Sequence, residues 1–570
     1  MNKKLYLIVF LTSLATLGLE ISLTRIFSVT MWYHYAFMAI SVAMFGMSTG
    51  AVKVFVSGYN KRSDSEVENI ITSYSGRFSI AVLGSIILLL SIPFIPRFTG
   101  VGIFTVLLIY LSAAVPFYFS GVIVSLILAT KYIRHVNKLY ASDLAGAATG
   151  ALVFFVFLSN TDAVSFIFLI GAVGFFGAWC LSRKKIYLLG VSCVLILVVF
   201  NHFTTFFRVE WNKVHTAQKN AKIETDIEWE TWTPFSRITV QPYSKKAFGW
   251  GNSSVFNEKY PDYEVPQKNL VIDAAAASII TGKEKKIKNL HHLKYDITNL
   301  AHMIVQDADI AVIGVGGGRD ILAAHYFNQK GVWGIEINEK ILQAVTEEFS
   351  DFTYPFESYD NVHLIHDEAR SYIERHDRKY DMIQASLIDS WAATASGAFV
   401  LTENSLYTVE GWNSFFDHLT EDGVVTMSRW YYKKRPGEML RLTNLAVKTL
   451  LKRGVTEPEK HILLAATLYS GDEVPEAPEG EEFGTGTIIV SRTPFTEEKI
   501  NRFLDVCEKM NFTVLLAGGE EESSLFSHVT DMEKRKTMLA NYPLNLSAPT
   551  DDSPFFFNML RPFSIFSYKG

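Results

Sequence analysis

"AVIGVGGGRDILAAHYF", residues 311–327, sets four glycines within five positions between an apolar run and a run of helical spacing. Strand, glycine turn and helix in that order bring backbone N–H groups and a helix N-terminus up to a nucleotide. A dinucleotide fingerprint would read G-x-G-x-x-G. Gly314 and Gly316 fill its first two places, but Arg319 holds the third, where close helix packing wants no side chain, so the reading as an NAD site is weakened. Glu336 follows Gly314 by 336 − 314 = 22 positions, the spacing at which a carboxylate accepts hydrogen bonds from both ribose hydroxyls of any adenosine ligand.

Around this stretch strand and helix patterns alternate: "DIAVIGV", "RDILAAHYF", "GVWGIEIN", "EKILQAVTEEF", "NVHLIHD", "ARSYIERH" and "YDMIQASLID". Continuous Val/Ile runs between amphipathic helices predict a parallel sheet covered on both faces. Ligands of such sheets sit at the carboxyl ends of the strands. The four predicted strands end in Gly314, Gly316, Gly317 and Gly318, then Glu336, then Asp367, then Asp389. Asp367, with the backbone groups of Glu368 and Ala369, is placed for an adenine edge. Glycines, ribose acid, adenine acid is the order expected for S-adenosylmethionine or its decarboxylated form, which carries no pyrophosphate and does not need the third glycine. Upstream, "SRITVQPY" and "NLVIDAAAASII" read as strands and "LHHLKYDITNLAHMI" as a helix.

The whole chain has 570 residues, 49% hydrophobic and 14% aromatic, which is rich for a soluble protein. The excess lies in residues 5–206, where seven apolar stretches are long enough to span a bilayer: 5–27, 34–57, 77–97, 102–130, 139–159, 162–182 and 185–206. The expected organisation is a multi-span domain (1–207), a β-rich segment (208–300) and a Rossmann-like domain with a C-terminal extension (301–570). The fold class is therefore an α-helical transmembrane bundle followed by an α/β Rossmann-like, class I S-adenosylmethionine-binding domain. A net charge of −5 gives no basic footprint for nucleic acid. Cys180, Cys193 and Cys507 form no disulfide framework, and His291, His292, His363 and His366 lack metal-ligand spacing, so no metal is expected.

Lys3, Lys4, Lys61, Arg62, Lys131, Arg134, Lys138 and Arg183 to Lys185 fall on one side of such a bundle, which puts the N-terminus inside and, with seven spans, the chain after Arg208 outside. S-adenosyl donors are made in the cytosol. The expectation adopted is a multi-pass cell-membrane protein whose soluble domain faces the cytoplasm, through one re-entrant segment or an inverted orientation. Within the spans, Glu20, Arg25 and Asp143 are functional candidates, because ionisable groups at membrane depth are costly and rare; the alternative is that Arg25 and Asp143 lie near the interface and snorkel, leaving only Glu20 deep. Gly146, Ala147 and Gly150 predict close helix packing.

The region from about Trp229 to Tyr432 resembles the spermidine/spermine synthase family, and the chain as a whole resembles its bacterial membrane-fused members. The resemblance is carried by "TPFSRITV", "LVIDAAAAS", "VIGVGGGRD", "GIEIN", "HDEARSYI", "YDMIQASLIDS" and "LYTVEGW", in that order. It implies a polyamine aminopropyltransferase that moves an aminopropyl group from decarboxylated S-adenosylmethionine to an amine. Departures from the family pattern fall at the chemistry. The loop acid that meets the aminopropyl ammonium is replaced by Gly317, with Asp320 the nearest carboxylate. The Asp-x-x-Asp-Pro loop reads Ser386, Leu387, Ile388, Asp389, Ser390, and the Tyr-His-Glu segment reads Tyr295, Asp296, Ile297. Asp389 is the expected general base, and Tyr295, Glu403, Asn404 and Tyr407 are candidate acceptor contacts. The paired acids of "PTDDSPFFF", residues 549–557, either reach the site or close a turn. The acceptor is a small or membrane-associated amine, and self-association is left open. The alternatives are a methyltransferase, or a transporter or sensor whose soluble domain only binds a nucleoside or polyamine.

Overall fold

The computed structural model describes residues 3–31, 37–59, 62–92, 94–95, 99–129, 136–209, 227–273, 276–388, 404–469, 482–519 and 524–561. Seven long apolar helices come first: α1 (Lys3–Met31), α2 (Met38–Val56), α3 (Asp64–Ser91), α4 (Gly100–Leu128), α5 (Val136–Leu158), α6 (Ala163–Ser182) and α7 (Lys185–Thr204). Each is long and apolar enough to cross a membrane. The third begins at Asp64, where the apolar run alone suggests 77, because Ser63 and Glu66 close a capping box that starts a helix well before the apolar stretch.

In this helical unit α1 packs on α5 and α2 on α4. A Cβ added at Gly146 or Gly150 would strike the backbone carbonyls of Phe10 and Leu14 on α1, so these glycines set the α1–α5 approach. The side chain of Asp143 accepts a hydrogen bond from the Ser13 hydroxyl. Arg25 does not snorkel. Its side chain is fully buried, 2.6 Å from Asp273, and it also donates to the carbonyl of Phe235 at 2.5 Å. Ser28 donates to the same Asp273 oxygen at 2.9 Å. A buried guanidinium needs such partners, since leaving it unpaired costs about 3–5 kcal/mol.

Strands β1 (Trp229–Trp232), β2 (Arg237–Pro242), β3 (Gln267–Ile272) and β4 (Ala276–Thr281) form a four-stranded sheet in the order β1-β2-β3-β4. The single strand expected over 269–280 is thus two. Asp273 takes φ +52 and turns the chain, its Oδ1 accepting from the Arg237 amide at 2.8 Å. The helix expected over 290–304 is two single 3-10 turns, His291–Leu293 and Ile297–Asn299, and one five-residue helix, Leu300–Ile304, because the Asp296 side chain caps a new turn at Thr298.

The second unit is built on an eight-stranded sheet ordered β12-β10-β11-β9-β8-β5-β6-β7. Its strands are β5 (Asp309–Ile313), β6 (Gly331–Glu336), β7 (Val362–His366), β8 (Tyr380–Ser386), β9 (Leu419–Tyr432), β10 (Ile462–Leu468), β11 (Phe483–Ser491) and β12 (Thr513–Ala517). From β7 to β9 all pairings are parallel, whereas β11, β10 and β12 continue antiparallel. The chain moves outward from β5 through β6 to β7, then returns to place β8 on the other side of β5. That reversal opens a crevice at the carboxyl ends of β5 and β8. The core is closed by Trp412, Phe415 and Phe416, all fully buried, from the helix Val409–Asp417.

Candidate cofactor and active site

The crevice is floored by the glycine loop. Gly314, Gly316 and Gly318 have φ of +79, +52 and +84, a region open to glycine and costly for other residues. Gly317 has no such φ; a Cβ there would run into the carbonyl of Ile279 on β4. The loop is pinned by three backbone donations: Gly314 to the Ile335 carbonyl at 2.8 Å, Gly316 to Glu336 Oε2 at 3.1 Å, and Gly317 to Ser278 Oγ at 2.8 Å. Ser278 was not legible as a site residue; its only trace is the run of small residues in "AAAAS".

Glu336, at the end of β6, is 5% exposed. Its Oε1 accepts from the Asn338 amide at 3.1 Å. Burial pushes its carboxyl above the usual range, and the amides of Gly316, Asn338, Val315 and Ile337 oppose that rise. A carboxylate so fixed by backbone donors keeps capacity for further donors, such as ribose hydroxyls. At the third strand end Asp367 pairs with Arg375 through Oδ2, and its Oδ1 accepts from the Glu368 amide at 2.8 Å. Glu368 caps the helix Ala369–Arg375, accepting from the amides of Arg370 and Ser371 at 3.1 and 2.8 Å. Ala369 is buried in the first turn of that helix.

Asp320 lies in the first turn of the helix Arg319–Tyr326 and is buried. Burial raises its pKa; the charge of Arg319 and a hydrogen bond from Ser386 oppose the rise, while the Asp296 charge adds to it. Ser386 ends β8, so Asp320 is brought to the crevice from the β5 side. Arg319 explains the missing third glycine. Its guanidinium is buried, pairs with Asp296 and donates to Thr298 Oγ1 at 3.1 Å, tying the helix start to the 296–298 turn. Asp296 is therefore a structural partner.

Tyr295 lies among Phe256, Tyr260 and Lys259, whose Nζ is 3.3 Å from its hydroxyl. Asn404 caps the 3-10 turn Ser405–Tyr407. Tyr407 is buried, stacks on Phe556 at 4.5 Å and donates to the carbonyl of Ile388 at 3.1 Å. Arg429, on β9, donates to that carbonyl at 3.2 Å. Two side chains thus fix the residue that precedes Asp389. Asp389 and Glu403 lie outside the described residues. Asp551 engages Arg370 through both oxygens at 2.8 Å, so this acid ties its turn to the helix Ala369–Arg375. Of the histidines, His292 is buried beside Tyr263, and burial together with the Arg319 charge pushes it down to about 3. His363 stacks on Trp333 of the neighbouring strand. Among the described residues no three His, Cys, Asp or Glu gather as metal ligands would.

No protein-family profile and no curated protein matches the chain. Among solved structures it is similar to a spermidine synthase in complex with the transition state analogue AdoDATO, at 13% identity and TM-score 0.31, covering 55% of this chain and 88% of that one. The spermidine synthase from Thermotoga maritima is 14% identical, with the same coverages and TM-score 0.31. A probable spermidine synthase from Corynebacterium glutamicum is 14% identical, with TM-score 0.35 and coverages of 57% and 97%. Overlaps this partial leave the chemistry to be read from the side chains.

Proposed function

We propose that this chain is a membrane-anchored S-adenosyl-dependent transferase that moves an aminopropyl group from decarboxylated S-adenosylmethionine to an amine acceptor. The observation that supports it most is the positive-φ glycine loop fastened to the buried Glu336 carboxylate across the ends of β5 and β6. That cradle offers ribose acceptors and close backbone approach, while Asp320 supplies a carboxylate for the donor's ammonium. In the transfer the acceptor nitrogen uses its lone pair to attack the carbon bound to sulfur. The C–S bond breaks, its electron pair returns to sulfur, and methylthioadenosine leaves. The nitrogen's proton goes to Asp389. The acceptor is a small amine or an amine carried by the membrane.

Calorimetric titration of the detergent-solubilised chain tests the reading. Glu336→Ala weakens S-adenosyl binding at least tenfold, about 1.4 kcal/mol, and NADH binding more tightly than either S-adenosyl compound overturns it. Mass analysis of the product separates methylthioadenosine, the mark of aminopropyl transfer, from S-adenosylhomocysteine, the mark of methyl transfer. General-base help is worth about 10² to 10⁴ in rate, so Asp389→Asn lowers turnover on that scale with cofactor affinity within a few fold. Full activity removes Asp389 from the mechanism.

The proposed address is a membrane with the sheet domain on the cytosolic side. All seven helices are long and apolar enough to span, and this placement takes either one re-entrant segment or an inverted orientation. In a Cys193→Ser background, Lys245→Cys stays unlabelled by an impermeant thiol reagent in intact cells; labelling puts the domain outside.

A further inference from the structure

Within the helical unit, a cavity of about 230 Å³ lies where α5 ends, α6 begins and α7 ends, with β1 along its wall. It holds roughly eight waters at about 30 Å³ each. Its lining carries charges of both signs: the acids are Asp162 and Glu230, Arg208 is the permanent cation with His202 beside it in the lining, and Asn160, Asn201 and Trp232 are among the other polar residues of the wall. Glu230 is braced through Oε1 alone, which accepts from Trp232 Nε1 at 2.9 Å and Arg237 Nε at 2.8 Å. Asp162 caps α6, accepting from the Ser165 amide at 2.8 Å. Asn201 is fixed by Ser165 and by the Phe207 amide. Among the described residues Arg208 has no ion-pair partner.

We infer that this cavity binds a zwitterionic phospholipid head group that carries a primary ammonium and a phosphodiester. The inference rests on α1–α7 crossing a bilayer and is independent of the transfer chemistry. Two carboxylates and an amide carbonyl suit an ammonium with three N–H donors, and an arginine fork suits a phosphodiester. A purely anionic head meets two carboxylates; a purely cationic ligand meets Arg208. The depth fits as well. Phe155, Phe200, Phe203 and Phe206 are exposed at the same helix ends, and aromatic rings collect where a span meets the head-group layer.

The test uses the full chain in detergent, charged with an equimolar mixture of phosphatidylethanolamine, phosphatidylcholine and phosphatidylglycerol, and native mass spectrometry of the lipid retained. Phosphatidylethanolamine is retained at least fivefold over either competitor. Arg208→Ala and Asp162→Asn each bring retention to parity, and the asparagine keeps the α6 cap, so an unchanged melting temperature separates lost binding from lost folding. Excess free O-phosphoethanolamine leaves the lipid in place; full displacement means a soluble ligand and overturns the lipid assignment. Equal retention of phosphatidylcholine, preference for phosphatidylglycerol, no retained lipid, or full selectivity in Arg208→Ala also overturns the proposal.

Discussion

Glycines in α5 and in the loop after β5 meet opposite demands. Gly146 and Gly150 have ordinary helical backbones, and their missing side chains let two helices touch backbone to backbone. Gly314, Gly316 and Gly318 take positive φ, with side chains of Ser278 and Phe356 crowding the last two, and Gly317 shares the helical glycines' reason, a backbone carbonyl lying where a Cβ would be. In one region glycine makes contact; in the other it makes shape. A substitution therefore fails at assembly in the first and at ligand binding in the second.

The largest expected effect is in the bundle. Gly146→Leu or Gly150→Leu forces α1 and α5 apart against backbone atoms that cannot rotate away, at a cost of about 1–3 kcal/mol or more. The melting temperature of the detergent-solubilised chain falls sharply; a wild-type melt breaks the contrast. Next comes Gly317→Ala, which displaces β4 from the loop and abolishes S-adenosyl binding while the helices remain assembled, as circular dichroism reports. Gly316→Ala is milder, since one left-handed residue costs about 1–2 kcal/mol and its Cβ meets the tip of the Ser278 side chain rather than backbone, and affinity drops by roughly tenfold. Equal loss in the two loop variants would erase the distinction between contact and shape.

The smallest effect is on pH. Burial raises the Glu336 pKa in the ligand-free domain, so the protonated form stabilises that state below the ordinary carboxyl value of 4.5, and this contribution is lost as pH rises through the folded value. Ribose hydroxyls favour the ionised form. Binding therefore expels a proton, and affinity falls as pH drops through the raised value. Glu336→Gln flattens that slope in calorimetric titration; a slope unchanged by the substitution assigns it to Asp320, whose pKa is raised too.

Strands β5 to β8 were legible because each is a short run rich in apolar residues with a candidate site residue at or just beyond its carboxyl end, whereas β9, the fifth parallel strand, carries no such mark. β6 is buried at all six positions, and Glu336 is its last. The antiparallel strands β10 to β12 have no such punctuation and were not separated from the C-terminal extension. The segment 290–304 misled because apolar spacing persists where Asp296 diverts the backbone amides into a new turn. Arg25 misled differently, since its partner Asp273 lies 248 positions away, and nothing local to a helix announces a buried ion pair. Tyr407 could be read as a polar residue near the site, but not its donation to the Ile388 carbonyl, which lies 19 positions upstream.

That carbonyl has a bearing on biosynthesis. Ile388 is held by Tyr407 and by Arg429, which emerge from the ribosome 19 and 41 residues after it. The glycine loop and Glu336 are made earlier and close on each other within 20 residues. A nascent chain can thus bring its glycine loop and Glu336 together before it can aim the segment leading to Asp389. Vectorial synthesis makes the loop older than that segment's anchorage in the life of each molecule.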